Sequence, residues 1–363
     1  MTEAQFIPKP YTKTVESGKV TWESPSNIAL VKYWGKKKDQ IPENPSISFT
    51  LSHCKTITTV SFSKKETNNA FSFEVFLDGE NKDDFKPKIE TFFKRIEVYL
   101  PFLKDYHFNI ETTNTFPHSS GIASSASGMS ALALCLMSIE KQLNDAVTEA
   151  YCNKKASFLA RLGSGSACRS IEGDLVVWGK HGNIEGSSDL FGIKYPYTIH
   201  ENFKNYQDTI LLVDKGEKQV SSSVGHNLMY YHPFAEERFK QAHNNLSKLM
   251  TILESGDLNA FIALIESEAL TLHAMMMTSM PYFILMKPNT LEIINKIWDF
   301  RKKSGWHIGF TLDAGANVHV LYPEKESNQI LEFINNELVA YIENAHYIVD
   351  KIGLGAKQLT IDN

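Results

Sequence analysis

The chain has 363 residues, 42% of them hydrophobic, and a formal net charge of −5. That length suits two domains with sizeable cores, and the mild acidic excess excludes a broad basic face of the kind that neutralises phosphates along a duplex, so no nucleic-acid partner is expected. Four cysteines, Cys54, Cys135, Cys152 and Cys168, show no Cys-x-x-Cys spacing and are too sparse for a disulfide framework, so reduced thiols are expected and zinc binding is not.

The opening Met1-Thr2-Glu3-Ala4-Gln5-Phe6-Ile7-Pro8 carries no apolar stretch of the export-signal kind, which points to a cytoplasmic protein. Residues 24–36, ending in Lys32-Tyr33-Trp34-Gly35-Lys36, read as a strand that stops at a glycine turn with a lysine just beyond. A basic side chain at a strand end can meet a phosphate, although Lys36-Lys37-Lys38 also reads as an ordinary solvated run. Residues 56–62 and 71–77 read as strands on either side of a charged, Asn-rich turn, and 84–100 as an amphipathic helix. The Ser/Gly-rich stretch 115–128 feeds an apolar run, 129–139, in which Met129, Leu132, Leu136 and Ile139 share a helical face. Such a loop delivers free amides to a helix N-terminus, where phosphate is favoured by hydrogen bonds and by the helix dipole. No Gly-Lys-Ser/Thr follows, so the P-loop NTPase motif is absent. No charged residue falls between Thr112 and Ile139, but Ser, Gly, Asn and Pro in the first half leave too few apolar residues for the roughly 20 a membrane span needs, and no membrane association is expected.

The stretch 161–170 concentrates glycine and serine ahead of Arg169. Glycine permits close backbone approach, hydroxyls donate, and a guanidinium grips a carboxylate or phosphate through two parallel bonds. A helix beginning near Gly165 would set Ser166 and Arg169 on one face. The competing reading, a flexible linker, fits poorly with the apolar run Leu175-Val176-Val177-Trp178 that follows. A boundary is expected at 182–186. Beyond it come a strand at 209–213, helices at 233–254, 257–277 and 290–304, and a strand at 311–322 broken by an Asp-Ala-Gly turn. His273-Ala274-Met275-Met276-Met277 reads as core filling and not as a soft-metal site. The scattered aromatic residues, 11% of the chain, imply no base-stacking platform.

Asn27-Ile28-Ala29 with Lys32-Tyr33-Trp34-Gly35-Lys36, the loop Gly121-Ile122-Ala123-Ser124-Ser125-Ala126, the segment 163–169 and Phe310-Thr311-Leu312-Asp313-Ala314-Gly315-Ala316-Asn317 together resemble the mevalonate diphosphate decarboxylase family of the GHMP kinase superfamily. The resemblance spans most of the chain. It implies an α+β protein of two domains, a ribosomal-S5-like one over 1–185 that binds ATP and a ferredoxin-like one over 186–363, with the active site in the cleft between them. It further implies a homodimer that decarboxylates mevalonate 5-diphosphate to isopentenyl diphosphate with ATP and Mg²⁺, releasing ADP, phosphate and carbon dioxide.

By the same resemblance Asp313 orients the C3 hydroxyl and takes its proton, and Arg169 holds the C1 carboxylate. Ser164 and Ser166 help hold the substrate, Tyr33 and Lys36 lie near its diphosphate or the transferring group, and Asn27 supports Asp313 or Arg169. Gly121, Ala123, Ser124 and Ser125 carry the ATP phosphates, and no dedicated protein metal cage is needed. Two departures stand out: His118-Ser119-Ser120 where relatives more often carry Thr-Ala-Ala, and the segment 221–226, where some bacterial relatives carry arginine near Ser223 and many carry methionine at His226. Alternatives are a relative acting on mevalonate or phosphomevalonate as decarboxylase or 3-kinase, and a non-catalytic nucleotide-binding regulator on the same fold.

Overall fold

In the computed structural model, which describes residues 2–66, 70–117, 122–214 and 222–360, the first half of the chain builds one mixed sheet. Its strands are β1 (Ser17–Val31), β2 (Ser46–Lys64), β3 (Ser72–Leu77), β4 (Glu80–Asn81), β5 (Tyr106–Asn114), β6 (Leu175–Trp178) and β7 (Ile193–Lys194). β1 and β2 run antiparallel from Ser17↔Ser63 to Val31↔Ile47. At 19 residues β2 is long enough to be flanked by β6 at its start and β5 further along. Helices α1 (Lys86–Ile96), α2 (Ser124–Leu143) and α3 (Glu149–Gly163) cover this sheet around a core that includes Phe92, Phe108, Leu132, Leu136 and Phe158.

The second half supplies β8 (Gln207–Leu211), α4 (Ser222–Asn227), α5 (Ala235–Ser255), α6 (Leu258–Met277), α7 (Pro288–Ser304), β9 (Gly309–Thr311), β10 (Val318–Tyr322), α8 (Ser327–Phe333) and β11 (Tyr347–Lys351). These four strands form an antiparallel sheet in the order β11-β8-β10-β9, with helices between the first and second strands and between the third and fourth. That is the ferredoxin-like arrangement. The tail strand β12 (Lys357–Leu359) returns to the first sheet and pairs with β1 at Thr21↔Leu359.

β1 explains how the two halves meet. Its last eight residues are all buried, as in a strand covered on both faces. Ser24 hydrogen-bonds Ser130 of α2, while Ile28, Leu30 and Val31 share a core with Leu246 of α5 and Phe261 of α6. The strand therefore aims its C-terminal end, Lys32 onward, into the seam.

Several sequence expectations shift at their edges. The helix expected over 84–100 is confined to Lys86–Ile96 after a 3₁₀ turn at Asp83–Phe85. The apolar run 129–139 is the middle of α2, and the broken strand at 311–322 is the pair β9 and β10, whose connection carries Asp313. α3 was not anticipated; Thr148 caps it by accepting from the Tyr151 amide. α6 has the length and apolarity of a membrane span, yet 61% of its most apolar window is buried. Its Met275 and Met276 fill a core with Trp34 and Leu272, as expected of methionines on an apolar helix.

Candidate active site

Lys32 follows the last residue of β1 and is buried. Its amide donates to Glu268 Oε2 at 2.8 Å, and its carbonyl accepts from Asn44 Nδ2 at 3.0 Å and Arg238 Nη2 at 3.2 Å. Glu268 and Arg238 are themselves a fully buried ion pair, so the backbone here is clamped by charged groups shut off from water. The ammonium pairs with Asp313 Oδ1 at 3.0 Å. Burial pushes the Lys32 pKa down and the Asp313 carboxylate pulls it back up. Asp313 sits just past β9, 28% exposed at its side chain, and its carbonyl is within hydrogen-bond distance, 3.1 Å, of His273 Nε2 on α6. Burial holds the His273 pKa down to about 4, so the ring is neutral at ordinary pH.

Arg169 lies in a 3₁₀ segment, Gly165–Ser170, and not in the α-helix that the sequence suggested. Positions three apart eclipse in a 3₁₀ turn, so Ser166 and Arg169 still share a face. The buried guanidinium is held by neutral groups: Nε donates to Asn27 Oδ1 at 3.3 Å, Nη1 to Ser46 Oγ at 2.6 Å, and Cζ lies 5.8 Å from the Trp178 ring centroid. Among the described residues no carboxylate makes a salt bridge with it. A buried cation without a partner anion is costly unless a ligand supplies one. Asn27 in turn donates to Ser170 Oγ at 2.8 Å and the Ser166 carbonyl at 3.3 Å, so of the two groups it was expected to support, its hydrogen bond goes to Arg169.

Tyr33 packs edge-on against Trp178, and its hydroxyl is sealed with no hydrogen-bond partner among the described residues. A Cβ at position 165 would stand 2.8 Å from that hydroxyl and 2.9 Å from Trp178, which explains the glycine. Ser164, Ser166, Lys36 and Tyr33 line the same cavity as Lys32, Arg169 and Asp313. Burial lowers the Lys36 pKa, and Arg95 lowers it further.

The other end of the cavity is the N-terminus of α2. Ala123 adopts a left-handed conformation, φ 51°, just before Ser124, and no side chain among the described residues caps the helix. Its first amides are left for a ligand. Lys88 of α1 reaches across to Ser125 Oγ at 2.8 Å, its pKa lowered by burial. Beyond lie Val75, Leu77, Phe85, Ile89 and Ile110, an apolar wall suited to a flat heterocycle. The whole cavity is about 710 Å³, and among the described residues four cations, Lys32, Lys36, Lys88 and Arg169, face a single carboxylate, Asp313. A chain that is acidic overall thus encloses a site for a multiply charged anion.

Of the residues singled out from sequence, Tyr33, Lys36, Ala123, Ser124, Ser125, Ser164, Ser166, Arg169 and Asp313 line the cavity, and Asn27 lies behind Arg169. Gly121, His118, Ser119 and Ser120 lie outside the described residues, as does Ser221; of Ser223 only the backbone is described. Sequence reasoning passed over Lys32, Lys88, Ser46 and His273. A lysine set between Ala29-Leu30-Val31 and Tyr33-Trp34 was a usable signal, because lysine is almost never fully buried without a partner. Lys88, on an exposed-looking helix, gave none.

A mixed-sheet domain joined through a shared core to a ferredoxin-like one, with a cationic cavity in the seam and a bare helix N-terminus at one end, is the architecture of a GHMP kinase superfamily member. A family model for the diphosphomevalonate decarboxylase-like N-terminal domain matches residues 24–189, and one for the mevalonate 5-diphosphate decarboxylase C-terminal domain matches residues 209–358. The chain is similar to the diphosphomevalonate decarboxylase of Ganoderma lucidum, 28% identical over 92% of this chain and 84% of that one, and to that of Rattus norvegicus, 27% identical over 87% and 78%. A solved complex of MDDEF with MVAPP, AMPPCP and magnesium superposes with a TM-score of 0.80 at 27% identity, covering 95% of this chain and 100% of that one. The mevalonate diphosphate decarboxylase of Staphylococcus aureus does so with a TM-score of 0.79 at 28% identity, covering 95% and 98%. The chain belongs to the mevalonate diphosphate decarboxylase family.

Proposed function

We propose that this chain catalyses the ATP-dependent decarboxylation of mevalonate 5-diphosphate to isopentenyl diphosphate, with ADP, phosphate and carbon dioxide as co-products. The observation that carries the reading is the cavity itself, in which Asp313, paired with Lys32, shares one space with Arg169, which has no salt-bridge partner among the described residues, and with the start of α2, which no described side chain caps. Relatives named for this activity, and a related structure holding MVAPP, AMPPCP and magnesium, support it.

In this reading Asp313 orients the substrate's C3 hydroxyl and accepts its proton as that oxygen attacks the γ-phosphorus of ATP. A tertiary hydroxyl is a poor leaving group, and phosphorylation makes it departable. The C1–C2 bond then breaks, its electrons form the new double bond, and the C3–O bond releases phosphate. Lys32 pairs with Asp313 and aims its carboxylate, the condition for a base to act at hydrogen-bond reach. Arg169 fixes the C1 carboxylate through its fork, with Asn27 and Ser46 setting the plane of the guanidinium. That grip positions a charge that the transition state loses, so it must orient without over-stabilising. Ser164, Ser166 and Lys36 hold the remainder of the substrate, and Tyr33, its hydroxyl sealed, contributes only the wall of its ring. The α2 amides with Ser124, Ser125 and Lys88 take the ATP phosphates, and Gly121 belongs with them.

Among the described residues no cluster of three or more His, Cys, Asp or Glu is placed to hold a metal ion by itself. The cavity's oxygen donors Ser124, Ser125 and Asp313 suit a hard cation shared with phosphate oxygens. Mg²⁺ held there would neutralise charge on the transferring group. We read the chain as two domains, 1–185 and 186–363, the second lending β7 and β12 to the sheet of the first. We also read it as a cytoplasmic homodimer, the location supported by four buried free thiols.

The test is parallel measurement of ADP and carbon dioxide with mevalonate, its 5-phosphate and its 5-diphosphate. Equal release of both products from the 5-diphosphate alone is expected. ADP with a stable 3-phosphate and no carbon dioxide would make the chain a kinase, and ATP binding without turnover of any of the three would make it a regulator.

A further inference from the structure

We infer that His226 is a substrate-binding residue whose Nε2–H donates a hydrogen bond to a diphosphate oxygen of the bound substrate. This rests on the decarboxylase reading above and adds a contact to it. The geometry begins at Gly35, whose amide donates to His226 Nδ1 at 3.0 Å. A ring nitrogen that accepts carries no proton, so the neutral imidazole holds its hydrogen on Nε2. The ring packs at a tilt against both Tyr33, centroids 4.2 Å apart, and Trp34, centroids 4.6 Å apart, which restrains the direction of that N–H.

His226 lines the cavity. Nε2 has no hydrogen-bond partner among the described residues, yet it is not sealed like the neighbouring Tyr33 hydroxyl, so its open direction is the cavity. Burial first, and then the charged groups facing the ring, Lys36 and Arg169, push its pKa down to about 3. A neutral donor among cations adds a hydrogen bond without adding repulsion. The tie to Gly35 sets the ring beside Lys36, the residue that the proposed function assigns to the diphosphate, whereas Asn27 and Ser46 organise the guanidinium of Arg169.

The test compares H226M, which keeps bulk and loses the donor, with H226Q, which keeps an acceptor for the Gly35 amide and a donor for the ligand. H226M is expected to raise the KM for mevalonate 5-diphosphate about tenfold, in line with loss of one hydrogen bond to a charged group, with the KM for ATP unchanged. Calorimetric titration with inorganic pyrophosphate should weaken by a similar factor in H226M and stay within about threefold of wild type in H226Q. Equal pyrophosphate affinity in wild type and H226M overturns the inference, and so does a loss in H226Q as large as that in H226M, which would mark the role as packing. If the wild type turns over no mevalonate 5-diphosphate, the decarboxylase reading fails, while the pyrophosphate titration still decides the role of His226.

Discussion

Lys32 and Asp313 stand 281 positions apart in the chain and meet as an ion pair, Nζ to Oδ1 at 3.0 Å, where β1 ends against the turn after β9. Each domain therefore contributes one partner, and the pair exists only when the two cores are docked.

Asp313→Asn keeps the shape of the side chain and removes the proton acceptor. Turnover should fall by about 10²–10⁴-fold, the range for one acid-base group, with ATP affinity and melting temperature nearly unchanged. Lys32→Met leaves the carboxylate in place but removes the cation that aims it. Its kcat should also fall at least about tenfold, with little change in ATP binding. Steady-state rates and ATP titrations on both variants decide the matter, and wild-type turnover in either would remove that residue from the mechanism.

How much of this was legible in the chain depends on the range of the interaction. Arg169, Ser164, Ser166 and Gly165 stood out because a turn that cradles an anion is local, and local sequence encodes it. The ferredoxin-like half was visible as strand and helix patterns in order, but the placement of β9 beside β10 at the edge of its sheet came only with the coordinates. Lys32 was readable in principle as a buried charge; its partner was not, since nothing near Lys32 in sequence points to Asp313. Lys88 and His273 act through side chains whose neighbours lie on other elements, Ser125 at the start of α2 and the carbonyl of Asp313. Their helices look ordinary because helical periodicity reports a buried face and not what that face touches.

Arg169→Lys tests the fork. The charge survives, but lysine cannot make parallel bonds or keep both the Asn27 and Ser46 contacts that orient the group. Carbon dioxide release from mevalonate 5-diphosphate should fall at least tenfold, about 1.4 kcal/mol of transition-state stabilisation. ATP binding should change little. A lysine variant that releases carbon dioxide at the wild-type rate would show that charge alone suffices.

Lys88→Met separates the two ends of the cavity. Lys88 reaches Ser125 at the bare N-terminus of α2 and stands clear of the pairs around Asp313 and Arg169. The KM for ATP should rise about tenfold or more, as befits loss of a charge-assisted contact to phosphate, while the KM for mevalonate 5-diphosphate moves by less than about threefold. Competition binding with a non-hydrolysable ATP analogue checks the first number independently of turnover. A rise confined to the substrate would place the ATP phosphates elsewhere.

Two of the buried histidines, His226 and His273, make stability depend on pH in a definite direction. His226 and His273 have pKa values pushed below the ordinary 6.5, to about 3 and about 4, chiefly by burial. Between those values and 6.5 the unfolded chain takes up protons that the folded chain refuses, so stability is fully present above about pH 7 and is lost as the pH falls. At pH 5 the gap to 6.5 is about 1.5 units, or about 2 kcal/mol for each ring. Buried carboxyls with raised pKa values, Glu140 and Asp208, act in the opposite sense, so the informative quantity is a difference between variants. Urea unfolding of wild type and H226Q at pH 7.5 and pH 5 should show the wild type losing about 2 kcal/mol more than the variant over that interval. Identical pH dependence in the two proteins would mean that His226 is protonated in the folded state, and the tautomer that the Gly35 amide implies would be wrong.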